Sequence, residues 1–141
     1  MQSLISSLVI GILLFLSLLH FYWVTGRQWS LHDALPQDDS GKAIFQPSRI
    51  ASFMVGLGLL SMSFFFAVES QWIHFFMPKY VLKYAPFIIG GIFILRSIGD
   101  FNYVGFFKKS RNTRFAQKDT KFYSPLCLLL GLLIILPHIF R

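Results

Sequence analysis

The stretch KYAPFIIGGIFILRSIGDFNYVGFFK, residues 83–108, decides how this chain folds. Between its terminal lysines only Arg96 and Asp100 carry charge, and Phe, Ile and Gly dominate the rest. Such a run reads as a membrane-crossing helix. In hydrocarbon every backbone N–H and C=O must bond within its own segment, and about 20 apolar residues cross the core. Three further runs of this kind flank it, at about residues 3–24, 49–69 and 122–140. Pro47 stands just ahead of the second, close to a first turn where its missing N–H costs little. With the third run taken as 84–107, the expected fold is all-α. It is an integral membrane four-helix bundle forming a single transmembrane domain over 1–141.

Composition points the same way. Of the 141 residues 55% are hydrophobic, 17 are Phe and only 13% are charged. A water-soluble domain is about a quarter charged. There is too little polar surface here to coat one, so the apolar excess faces lipid. The net charge of +7 could indicate nucleic acid, but most of the cations sit in one short loop between apolar runs. That placement belongs to membrane topology and anionic lipid, and no nucleic-acid partner is expected. Cys127 is the only cysteine, which excludes an internal disulfide and a two-cysteine redox motif. The first run has no Lys or Arg before Arg27, exceeds a signal-peptide core in length and precedes no small-x-small cleavage site. It is read as a retained helix.

Orientation follows from the cations. The loop 108–121 carries Lys108, Lys109, Arg111, Arg114, Lys118 and Lys121 against one acid, Asp119. The first loop adds Arg27, Lys42 and Arg49, whereas the second has Lys79 and Lys83, and Arg141 ends the chain. Putting loops one and three in the cytoplasm places nine cations inside and three outside, and both termini then face the periplasm. Trp23 and Trp29 mark one interface, and Trp72, Tyr80 and Tyr84 the other. The first loop, with Asp33, Asp38, Asp39, Ser40, Gly41 and two prolines, suits a solvated segment with room for a short interfacial helix.

Lipid tails are as apolar as leucine, so helices associate in a membrane through close approach at small residues. Ser52, Gly56, Ser63, Ala67 and Ser70 share one face of the second run at 100° per residue. They form either a packing seam or a ligand groove. Gly90, Gly91, Gly99 and Gly105 offer similar sites on the third run, and Gly131 on the fourth.

Arg96 and Asp100 lie four residues apart, on one face if the helix is continuous, with Tyr103 a turn further on. The 25 steps from Lys83 to Lys108 rise about 37 Å, which sets Arg96 near the bilayer middle. An isolated charge there costs at least about 2.5–3.5 kcal/mol, so an intramembrane ion pair facing the protein interior is expected. His20, seven residues before Arg27, falls at a similar depth to Asp100. The candidate ligand-binding pocket, open to the cytoplasmic half, comprises His20, Tyr22, Arg96, Asp100, Asn102 and Tyr103. The alternative is a staple that fixes helix orientation. Lys108, Lys109, Arg111 and Arg114 are candidates for anionic headgroups, at about 1 kcal/mol per cation, or simply anchor topology.

Catalytic signatures are missing. His20 and His32 fall near one side and His74 and His138 near the other, so no metal centre is expected, nor any cofactor. Nucleophile elbows, phosphate loops and CxxC motifs are absent.

The run Arg96-Ser97-Ile98-Gly99-Asp100-Phe101-Asn102-Tyr103-Val104-Gly105-Phe106-Phe107-Lys108 resembles the signature of a small bacterial membrane protein family, domain of unknown function 3995. So do Thr113-Arg114-Phe115-Ala116 with Asp119, Tyr123-Ser124-Pro125-Leu126-Cys127, and His20-Phe21-Tyr22-Trp23 with Gly26 and Trp29. The resemblance spans nearly the whole chain. It implies a four-helix membrane fold in the bacterial inner membrane and no established activity. The leading functional expectation is a non-enzymatic inner-membrane protein that binds membrane lipids, a quinone or other amphipathic small molecule, or a partner helix. The rivals are an enzyme acting on a lipid or isoprenoid, with His20 or Asp100 as acid/base, and an oligomeric small-solute transporter.

Overall fold

The computed structural model describes residues 2–27, 31–38 and 40–140. Trp29, Asp39 and Arg141, together with the side chain of His32, lie outside the described residues. Among those described the chain is all-helical, with one isolated bridge between Gln37 and Ala43 in the first loop. The elements are α1 (Gln2–Val24), α2 (Leu31–Ala34), α3 (Arg49–Glu69), α4 (Lys79–Ile98), α5 (Arg114–Lys118), a π-helical turn (Asp119–Tyr123) and α6 (Ser124–Ile139). Four helices are long and apolar enough to cross a membrane: α1, α3, α4 and the continuous run Arg114–Ile139. This is the pattern of a multi-pass membrane protein.

Two helix boundaries differ from the sequence reading. The third long helix stops at Ile98, not at 107. Gly99 and Gly105 both take left-handed backbone, at φ +90°, and a Cβ on Gly99 would lie 1.7 Å from the carbonyl oxygen of Val104. Only glycine tolerates both the conformation and the approach. The fourth long helix starts earlier than 122, because the Thr113 hydroxyl caps it by accepting from the amide of Ala116 at 3.1 Å. The basic loop is thus partly helical.

The chain divides into two compact units. The first contains Met1–Arg27, Pro47–Ile89 and Leu133–Arg141. Here α1 and α3 pack antiparallel along the small-residue stripe, where Ser52, Gly56, Ser63 and Ala67 are buried. Ser17 donates to the carbonyl of Gly56 at 2.7 Å, and Ser63 donates to that of Ile10 at 3.1 Å. A Cβ on Gly56 would come within 2.9 Å of the Phe21 ring. The stripe is therefore a packing seam, closed by hydrogen bonds and ring contact. Ser48 caps α3 by accepting from Ala51, directly after Pro47.

The second unit contains Gln28–Gln46 and Gly90–Leu132. Within it α4 and α6 approach closely at Gly131, where a Cβ would meet Ile94 at 2.6 Å and the Gly90 carbonyl at 2.9 Å. Lys118 pairs with Asp33 and so ties α5 to α2.

Candidate functional site

The second unit is organised around one carboxylate. Asp119 is fully buried at the start of the π-helical turn. Its Oδ1 accepts from Arg96 Nη2 at 3.1 Å, and its Oδ2 from Lys108 Nζ at 3.0 Å and from the amide of Gly105 at 2.8 Å. Lys108, whose side chain is 1% exposed, spends its other protons on the Gly105 carbonyl at 2.8 Å and the Thr120 hydroxyl at 2.6 Å. Removing Asp119 would leave Lys108 as an uncompensated buried charge, whereas removing Lys108 leaves Asp119 still paired with Arg96. With two cations on one acid the cluster is net positive. Arg96 is about one-third exposed, yet its Nη1 is buried and, like Ser124 Oγ, has no hydrogen-bond partner among the described residues.

The local sequence explains the arrangement. After α4 ends, Asp100 turns its Oδ1 onto the amides of Asn102, Tyr103 and Val104, at 2.9, 2.8 and 2.9 Å. Short-chain acids compete with helix by bonding nearby amides in this way. The chain then returns antiparallel to itself: Phe106 donates to Ser97 at 2.9 Å and Asp100 to Val104 at 3.2 Å. Phe101, at φ +64°, takes the strain of the reversal. That reversal delivers Gly105 and Lys108 to Asp119. Partial burial works to raise the Asp100 pKa. The amides of Val104, Tyr103 and Asn102 outweigh it and hold the carboxyl below its ordinary value.

The ion pair expected between Arg96 and Asp100 is therefore not formed. Asp100 lies past the helix end, where it no longer shares a face with Arg96, and Arg96 reaches instead to an acid 23 residues away. Lys108, expected among headgroup-facing cations, is buried on that same acid. Lys109, Arg111 and Arg114 are exposed. Asn102, Tyr103, Lys109 and Arg111 come together with Ser110 and Asn112 around a cleft of about 390 Å³. The backbone holds this cleft in shape, since the Asn102 carbonyl accepts from Lys109 at 3.1 Å and Ser110 at 3.0 Å. Arg114 lines a neighbouring cleft of about 410 Å³ with Asn112, Thr113 and residues of the first loop.

His20 and Tyr22 belong to the first unit. His20 Nδ1 lies 2.8 Å from the carbonyl of Leu16, and its ring meets Trp23 edge-on at 4.9 Å. The Tyr22 ring lies beneath the Arg27 guanidinium at 5.6 Å. Sequence reasoning singled out Asp119 as the one acid of the basic loop but missed it as the partner of Arg96 and Lys108. A lone acid amid six cations, immediately before an apolar run, was the available signal. It also missed the pairing of Glu69 with His138, whose Nε2 lies 2.6 Å from Oε1. Among the described residues no three His, Cys, Asp or Glu side chains converge as a metal-binding group.

The model of the family described as "Protein of unknown function (DUF3995)" matches residues 13–134, and the chain belongs to that family. No curated protein and no solved structure matches the chain.

Proposed function

We propose that this member of the family is a non-catalytic multi-pass protein of the bacterial inner membrane whose third loop holds an anionic lipid headgroup on the cytoplasmic side. The supporting observation is how the loop divides its cations. Buried Asp119 takes up Lys108 and Arg96 and so makes the loop a fixed scaffold. Lys109 and Arg111 are left exposed on a cleft furnished with the neutral donors of Asn102 and Tyr103. A phosphate needs cations and hydrogen-bond donors held at one spot, and a preformed cleft loses little entropy on binding it. Orientation rests on the nine cations of loops one and three against three elsewhere outside the spans. Both termini then face the periplasm.

Lipid binding is tested on the full chain in detergent by native mass spectrometry, with phosphatidylglycerol and phosphatidylcholine in competition. Phosphatidylglycerol should be retained preferentially. The double variant Lys109→Gln/Arg111→Gln should weaken it about thirtyfold, as two surface cations at about 1 kcal/mol each require. Equal retention of both lipids, or no effect of the double variant, would overturn the reading. Orientation is tested separately by Asn112→Cys in a Cys127→Ala background. An impermeant maleimide should label it only after the cells are broken.

A further inference from the structure

The first unit contains a cavity of about 960 Å³ beside the loop that joins α3 to α4. That is within the range of about 300–1,000 Å³ in which small-molecule sites are found. Its apolar wall includes Ile73, Phe75, Leu82 and Phe87. Lys79 and Lys83, one turn apart at the start of α4, line it as well. Neither is in an ion pair among the described residues; Lys83 lies 5.3 Å over the Tyr84 ring. Gln71, also in the lining, has left-handed backbone at φ +62°. It is the left-handed residue that closes the C-terminus of α3, directly after the cap Ser70. The amides of Trp72 and Ile73 hold the turn by converging on the carbonyl of Ala67, at 2.9 and 3.2 Å.

Glu69, the one acid among the described residues that line the cavity, pairs with His138. His138 Nδ1 lies 2.7 Å from the carbonyl of Ile134, an oxygen that can only accept, so Nδ1 carries a proton. Nε2 then faces Glu69 Oε1 at 2.6 Å, and a second proton must lie between them. Whichever atom holds that proton, the imidazole and carboxyl together have no net charge. Both side chains are nearly buried, at 12% and 10% exposure. What the cavity shows to a ligand is therefore the two lysines, with the imidazole of His74 beside them.

We propose that this cavity binds a single-chain amphiphile with a carboxylate or phosphate head. Lys79 and Lys83 hold the head, and the tail lies against Ile73, Phe75, Leu82 and Phe87. His138 acts as a positioning residue that cancels the charge of Glu69, which would otherwise repel the head. Charge complementarity selects an anion, and the aromatic and aliphatic wall selects a tail over a free ion.

The test uses the full chain in phosphatidylcholine nanodiscs, with empty discs as blank, titrated calorimetrically with laurate, dodecyl phosphate and dodecanol. One saturable site for laurate or dodecyl phosphate, and none for dodecanol, is the expected result; the tighter anion identifies the head. Lys79→Gln/Lys83→Gln should weaken binding at least about tenfold. His138→Gln exposes the Glu69 charge and should weaken it severalfold, whereas Glu69→Gln/His138→Gln removes both charges and should restore it. That rescue separates charge cancellation from a merely structural tie, which the double variant would leave broken. Equal binding of dodecanol, or no saturation above empty discs, overturns the site. Failure of the rescue with anion binding intact in the parent overturns the role given to His138.

Discussion

The α1–α3 seam and the segment from Arg96 to Ser124 are each held by buried polar contacts, but by opposite means. The seam uses small residues and two serine-to-carbonyl bonds, each replaceable by the apolar contact around it. The segment uses full charges, with Lys108 and Asp119 both sealed from solvent and Arg96 half-committed to them. Polar bonds between membrane helices contribute modestly, because the separated helices find other partners for the same groups. A buried ion pair is often no more stable than apolar packing of the same volume, yet breaking it is costly. The seam should tolerate substitution, and the charged segment should not.

The largest expected effect tests that contrast directly. Asp119→Asn leaves the Lys108 ammonium buried without a counter-charge and should cost about 3–5 kcal/mol, read as a large fall in thermal midpoint in detergent. Replacing all three charged partners, as Arg96→Met/Lys108→Met/Asp119→Leu, should recover most of that loss. If the single variant melts like the parent, the charged segment is no different in kind from the seam. Next in size is Gly99→Ala, which combines a left-handed φ with a contact of 1.7 Å to Val104. It should cost on the order of 3 kcal/mol by the same measurement. At the seam, Ser17→Ala should cost only about 0.6 kcal/mol, and a loss several times larger would erase the distinction.

The smallest effect concerns the turn capped by Asp100. Its folded carboxyl sits below the ordinary value, so it contributes stability above that value. This contribution fades as pH falls through the depressed folded pKa. Amide exchange at Asn102, Tyr103 and Val104, corrected for its intrinsic pH dependence, should report loss of protection only in that acid range. In Asp100→Ala the protection should be absent at neutral pH too.

How far each region could be read from sequence follows the same division. The seam was legible, because Ser52, Gly56, Ser63 and Ala67 recur at helical spacing and a regular helix carries that spacing faithfully into space. Arg96 was legible as a charge in need of a partner. Its partner was not, because the helix breaks at Gly99 and Asp100 leaves the face that a continuous helix would give it. The signals for the break, two glycines enclosing an Asp and an Asn, were present but were outweighed by the apolar residues between them. Glu69 and His138 are separated by 69 residues, and no periodicity links them.

Sequence alone determined the four apolar helices and the small face of α3. Each follows from forces acting within one segment: hydrocarbon compels internal backbone bonding, and helical periodicity sets small residues on one face. Only the tertiary structure decided which charges meet. Arg96 joins Asp119 instead of Asp100, and Glu69 joins His138, because an ion pair depends on where the chain reverses and what each reversal brings within about 3 Å.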